Sequence, residues 1–349
     1  MMRLDCVLTA FSLLALAACG GQPGTTSDKS KASDSQALLD ATPAVEEAPA
    51  KTRPFPTITV PSVYEGGSAE SQEYILDHYW DAFFKGDGAT GPDTVLGVAD
   101  GDVEQALSNY IQILAMVKAQ ATPDSLQPLQ RARNSVRRLF KKLEARQQAD
   151  TSALTYLRMT EMVARYLYDP NSPMRDEDLY LPFVELMADS PFTRDDMRTA
   201  CRHELKMCRT NPYGSQAPDF KFSRIDGSKG HLYGVNAEYT MLFFSNPGCE
   251  SCKQIIHDVM SRQYVESYIA SGRLAIVNIY VDEEIKAWRE YHHNYPRSWI
   301  NGYDHTFSLR DSWKYDIRAI PSLYLLDSSK RVLMKDAPTE KVLSFLDTI

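Results

Sequence analysis

The most constraining stretch of this chain is residues 239–252. Tyr239 to Ser245 is an apolar run of strand length, Asn246-Pro247-Gly248 interrupts it, and Cys249-Glu250-Ser251-Cys252 opens an amphipathic stretch. Apolar runs with little alternation suit strands buried on both faces, as in a parallel sheet. Leu274 to Val281 is a second such run, and two helical stretches near 250–260 and 262–271 lie between the two. The pattern is a β-α-β unit. Ser322 to Leu326 and Arg331 to Lys335 read as a closing hairpin, and Thr339 as the cap of a last helix carrying Val342, Leu343, Phe345 and Leu346.

The preceding region has a different grammar. Val103, Leu107, Tyr110, Ile111, Leu114 and Val117 recur at helical spacing, as do Leu129, Val136, Leu139, Phe140 and Leu143, and then Tyr156, Met159, Val163, Tyr166 and Leu167. Asp169-Pro170-Asn171-Ser172-Pro173 stops the third helix. Leu179, Phe183, Leu186 and Met187 suggest a fourth, and Thr193 reads as the N-cap of a fifth that begins with Asp195-Asp196. The expectation is an all-α bundle followed by an α/β domain. Arg131, Arg133, Arg137, Arg138, Lys141, Lys142 and Arg146 make one helix basic. Such a face touches anionic headgroups or complements acidic neighbours, and the second reading is preferred.

The N-terminus reads as a targeting segment. Val7 to Ala18 is apolar but too short to span a bilayer, and Leu16-Ala17-Ala18-Cys19 resembles a bacterial lipobox. Residues 1–18 are therefore expected to be a lipoprotein signal peptide, with Cys19 the lipidated residue. Residues 19–57, rich in Ser, Thr, Ala and Pro, are expected to form a flexible tether. The helical domain is assigned to 58–212 and the α/β domain to 213–349. The net charge of −8 argues against a nucleic-acid partner.

Six cysteines are present, and setting aside Cys6 and Cys19 leaves Cys201, Cys208, Cys249 and Cys252. In a helix, seven residues rise roughly 10 Å, beyond the reach of a disulfide. Cys201 and Cys208 therefore do not pair within an unbroken helix and are read as core residues on one face. The spacing of that pair does not suit a zinc knuckle. His257, His292 and His293 lack partners at ligand spacing, and neither a metal nor a cofactor is expected.

Cys249 and Cys252 carry the chemistry. A cysteine opening a helix sits among unsatisfied N–H groups at the positive end of the dipole, which populates the thiolate. Cys249 is expected to attack a partner disulfide, and Cys252 to resolve the mixed disulfide. Glu250 opposes the helix effect on the neighbouring thiol.

The pair, the strand-helix placement, Ile320-Pro321 ahead of a strand, and Gly214-Ser215-Gln216-Ala217-Pro218-Asp219-Phe220 together resemble the TlpA-like branch of thioredoxin-like proteins. That resemblance covers about residues 213–349. Tyr168-Asp169-Pro170-Asn171-Ser172-Pro173-Met174-Arg175 further resembles a segment of Bacteroidetes-type thioredoxin-like lipoproteins with an N-terminal helical domain of unknown function. The resemblance implies a thioredoxin-like fold, a cis proline at Pro321 that with Ile320 presents backbone to substrate, and catalysis by Cys249 and Cys252. It also implies a place in the bacterial cell envelope, lipid-anchored at the inner or outer membrane and facing the periplasm. Its partners would be envelope proteins with cysteines and an upstream thiol electron donor, with reduction or isomerisation the favoured direction. The sequence departs from the pattern in two places. Asn246-Pro247-Gly248 stands where thioredoxin has Trp before the first cysteine, and Phe243 stands where it buries an acid. A non-catalytic envelope binding lipoprotein built on the same fold remains the alternative. A thiol peroxidase is disfavoured, because Asn246 occupies the position that needs Thr or Ser.

Overall fold

A computed structural model of the chain describes residues 52–64, 69–311 and 314–349, which pack as one compact unit. Cys19, the expected signal peptide and most of the expected tether lie outside the described residues. Among the described residues no helix is long and apolar enough to cross a membrane.

The N-terminal half contains α1 (Ala69–His78), α2 (Asp81–Phe84), β1 (Thr94–Val95), β2 (Val98–Ala99), α3 (Asp100–Lys118), α4 (Gln127–Ala149), α5 (Thr155–Leu167), α6 (Glu177–Asp189) and α7 (Asp195–Cys208). The stripe on α3 and, from Val136 to Leu143, that on α4 face one core, joined by Tyr156, Met159 and Val163 of α5 and Phe183 of α6. Each fully buried Leu, Val or Phe there contributes about 1.5–3 kcal/mol. Cys201 and Cys208 lie in this core as free thiols. On the basic helix α4, Arg133 pairs with Asp178, Arg137 with Glu185, Arg138 with Asp77 and Lys142 with Asp81, as the preferred reading expects.

Several local expectations need correction. The half is helical as expected, but it also carries a small antiparallel hairpin, β1–β2, turning at Leu96 and Gly97, both with positive φ. The expected tether does not extend to residue 57. Arg53 bridges to Val98 and donates to the Leu96 carbonyl at 2.9 Å, while Phe55 stacks on Phe83 with centroids 5.2 Å apart. Thr193 is not the cap of α7, a position held by Arg194; its hydroxyl instead donates to the Met187 carbonyl at 2.7 Å. Pro338, not Thr339, caps the last helix.

The C-terminal half contains β3 (Lys221–Ser223), β4 (Lys229–His231), β5 (Tyr239–Phe244), α8 (Glu250–Met260), α9 (Val265–Ala270), β6 (Leu274–Tyr280), α10 (Ile285–Tyr291), β7 (Ile300–Tyr303), α11 (Ser308–Asp311), β8 (Ser322–Leu326), β9 (Val332–Met334) and α12 (Thr339–Leu346). The sheet runs β4-β3-β7-β6-β5-β8-β9. β5, β6 and β7 are parallel, while β8 is antiparallel to β5 and β9 to β8. Side chains alternate between its faces as strand geometry requires. Leu242, Phe244, Val277, Ile279 and Tyr324 line one face; Met241, Phe243, Ile276, Leu323 and Leu325 line the other, with Cys252, Ile255 and Val259 of α8 and Val342 and Leu346 of α12. The buried central strands are the runs read from the sequence. The β3–β4 hairpin, turning near Gly227 (φ 82°), was not among them.

Candidate functional site

After Phe244 the chain leaves β5 and turns through Ser245-Asn246-Pro247-Gly248. Gly248 takes φ 74°, a left-handed backbone that favours glycine. The Cys249 N–H donates to the Asn246 carbonyl at 3.3 Å. The Asn246 side-chain amide donates to Asp282, just past β6, at 2.7 Å. The turn is thereby fastened to the neighbouring strand end.

Cys249 is the N-cap of α8, and its Sγ accepts the Cys252 N–H at 3.1 Å. Sulfur stands where a Ser or Asp oxygen usually closes a helix. A thiolate there would gain that hydrogen bond together with the positive end of the helix. The two cysteines form a disulfide with Cα atoms 5.2 Å apart. Cys249 is half-buried, whereas Cys252 is 2% exposed. Cys249 is thus the more accessible of the two sulfurs, and Cys252 lies one turn inside.

Ile320 and Pro321 directly precede β8, and the bond between them is cis. Because Ser322 pairs with Phe244, the start of β8 and the end of β5 share one end of the sheet. Ile320 packs against the apolar cluster that holds Cys252 and on which Cys249 rests. The structure therefore brings Cys249, Cys252, Ile320 and Pro321 to one end of the sheet.

The buried side chains around the Cys249–Cys252 disulfide are neutral. Phe243 is fully buried on the face that carries Cys252 and meets Trp299 edge-on at 6.0 Å. A neutral chain crosses the sheet nearby: Ser245 donates to Asn278 at 2.5 Å, Asn278 to Asn301 at 3.0 Å, and Asn301 to the Pro296 carbonyl at 2.8 Å. Exposed Glu250 is paired with Lys253 at 2.9 Å, so its charge is partly answered. His257 and His293 are exposed, and His292 rests against Trp288. Among the described residues no group of three or more His, Cys, Asp or Glu side chains is placed to hold a metal.

Sequence reasoning missed a second cluster, between the two halves. Asp176, Glu177 and Asp178 stand at the start of α6, where acids suit the helix dipole. Lys335, following β9, reaches Glu177 at 2.6 Å and donates to the Met207 carbonyl near the end of α7 at 2.6 Å. Lys341 of α12 pairs with Asp176 at 2.7 Å. Arg318, three residues before Pro321, lies 3.2 Å from Glu177, donates to Asp336 at 2.8 Å and to the Tyr168 carbonyl, and stacks 4.1 Å over the Tyr168 ring. Burial pushes the Glu177 carboxyl up to about 6, against the opposing pull of Lys335 and Arg318. Burial also acts to raise Asp176, but Lys118 and Lys341 outweigh it and hold that acid below its ordinary value. The only sequence signal was the acidic triplet itself; Lys118 and Arg133 lie 45 or more positions away, and Arg318, Lys335 and Lys341 lie 140 or more.

A family profile for a domain of unknown function, DUF5106, matches residues 18–211, and a thioredoxin-like profile matches 236–332. The crystal structure of a thioredoxin-like protein from Bacteroides caccae is 31% identical. It covers 85% of this chain and 99% of its own, with a TM-score of 0.69. The C-terminal domain of an uncharacterized protein from Bacteroides fragilis is 39% identical over 40% of this chain and 99% of its own, with a TM-score of 0.38. The thioredoxin domain of a thiol-disulfide oxidoreductase from Bacteroides vulgatus is 17% identical over 39% of this chain and 96% of its own, with a TM-score of 0.35. None of the curated proteins compared with the chain matches it significantly.

Proposed function

Because this chain belongs to the family that joins a DUF5106 domain to a thioredoxin-like domain, we propose that it is a thiol–disulfide oxidoreductase exchanging its Cys249–Cys252 pair with cysteines of envelope proteins. The observation that carries this reading is the cap geometry: a half-buried Cys249 Sγ accepting the Cys252 N–H at 3.1 Å, with Cys252 sheltered behind it. In the reducing direction the Cys249 thiolate attacks a substrate disulfide. One substrate sulfur bonds to Cys249 and the other leaves as a thiolate that takes up a proton. The Cys252 thiolate then attacks Cys249 Sγ, closing the Cys249–Cys252 bond and releasing the second substrate thiol. The substrate gains two electrons and the pair loses two, which an upstream dithiol donor restores. Ile320 and Pro321 form the wall beside which the substrate cysteine approaches.

In this proposal Cys19 carries the lipid, and the segment after it holds the folded body near the membrane. Cys19→Ser is expected to move the protein from the membrane fraction to the soluble fraction in the native host; unchanged membrane retention would remove the anchor from the proposal.

Redox titration in glutathione buffers, with thiols counted by mass-shift labelling, tests the exchange activity. The proposal expects one reversible two-electron couple that disappears in Cys249→Ser. A bridge that resists reduction across the whole range would make the domain a binding scaffold.

A further inference from the structure

We propose that Arg318 is a positioning residue for the Ile320–Pro321 wall, and that the helical half, through Tyr168 and Glu177, thereby forms part of the redox site. This rests on the oxidoreductase reading above and goes beyond it by giving the helical half a role in substrate reduction.

The wall is pinned on both sides by one carboxylate. Asp336 accepts from Arg318 through one oxygen and from the Ser322 hydroxyl through the other, each at 2.8 Å. Residues 318 and 322 bracket Ile320 and Pro321, so Asp336 closes a short clamp around them. Asp336 is itself held from the helical half, because Arg175 donates to its carbonyl at 2.6 Å and to the Ala337 carbonyl at 3.2 Å. Arg318 is likewise held on several sides: by Asp336, by Glu177 at 3.2 Å, by Asp316 at 3.8 Å, and by the Tyr168 carbonyl and ring. A planar guanidinium satisfies such a set as a fork and a stacking plate, and an ammonium does not. Ser322, Asp316 and Asp336 are all buried, so the clamp works where water screens little. Ile320 transmits its position to the apolar cluster that holds the cysteines. None of this network reaches the sulfurs themselves. It should therefore govern how a bulky protein disulfide is oriented, not the intrinsic exchange of the pair.

The test uses the full chain and compares wild type with Arg318→Lys and Glu177→Gln. Three readouts are taken: the redox equilibrium in glutathione, reduction of a small aromatic disulfide, and KM and kcat for reduction of insulin. Misplacing a reacting partner by a fraction of an ångström is costly, so KM for insulin should rise about tenfold in Arg318→Lys. Its glutathione equilibrium and small-disulfide rate should stay at the wild-type values. Amide exchange at residues 319–323 should quicken in both variants, while α8 stays unchanged, which separates a loosened wall from general unfolding. Wild-type KM and exchange in both variants would overturn the positioning role alone. Equal loss on the small disulfide and on insulin would also overturn it, assigning Arg318 to structure. If wild-type protein reduces neither substrate, the oxidoreductase reading fails and this role fails with it.

Discussion

The cysteine end of the sheet and the boundary between the two halves differ in how they use charge. Around the cysteines the buried groups are neutral: Phe243, Trp299, Ile255 and the Ser245–Asn278–Asn301 chain. Between the helical and sheet halves, acids and bases are buried together, with Glu177, Lys335, Asp336 and Arg318 each 13% exposed or less at the side chain. Ionised groups removed from water must be paired, and pairing requires geometry. The buried charge between the halves joins them, whereas the charge beside the cysteines, Glu250 and Lys253, is exposed. In the proposed exchange the helix N-terminus activates Cys249, while the boundary makes stability depend on pH.

The largest expected effect lies on the thiol side. Cys249→Ser should abolish disulfide reduction while leaving the urea unfolding midpoint of the reduced protein unchanged, since Cys249 rests on the surface of its cluster. Next comes the boundary. Glu177→Ala leaves Lys335 with Asp316 at 3.8 Å as its nearest acid, beside the neutral Met207 and Thr210 carbonyls, so unfolding in urea should lose about 3–5 kcal/mol. Replacing Glu177 and Lys335 together by Met should cost less than Glu177→Ala, because neither charge is then left unpaired.

A smaller effect concerns pH. Glu177 has an ordinary value of 4.5 and stands at about 6 in the fold, so the folded state favours its proton. Its contribution is fully present below about 4.5 and is lost as pH rises through about 6, a change on the order of 2 kcal/mol. Asp176 behaves oppositely: its contribution is present above its ordinary value and is lost as pH falls below it. The window from 4.5 to 6 therefore isolates Glu177 from Asp176. The difference in unfolding free energy between wild type and Glu177→Gln should change across that window, and a flat difference would contradict the assignment. The smallest effect is at Glu250, whose exposed pair with Lys253 should leave stability unchanged in Glu250→Gln.

What was readable in advance followed from local rules. The apolar runs at 239–245 and 274–281 became β5 and β6, and the helical stripes became core faces, because burial on fixed periods leaves a pattern in one stretch of chain. Cys249 and Cys252 are legible from their place between an apolar run and a helix, Ile320 and Pro321 only from the family resemblance, and the fold brings all four to one end of the sheet. β7 escaped because Ile300-Asn301-Gly302-Tyr303 has neither period nor length. Arg53 and Phe55 looked like tether because their docking partners, Leu96 and Phe83, are far along the chain. The Arg318–Glu177–Asp336 clamp was unreadable for the same reason. A lone Arg and an acidic triplet have the composition of any solvated surface until the fold places them together.

The central claim is that Cys249 attacks and Cys252 resolves. The most direct measurement incubates Cys252→Ser and Cys249→Ser, each fully reduced, with a protein disulfide, and resolves the products on non-reducing gels with mass identification of the linked cysteines. If Cys249 attacks, a stable mixed disulfide through Cys249 forms in Cys252→Ser and none forms in Cys249→Ser. Trapping through Cys252 alone, or no adduct in either variant, would contradict it.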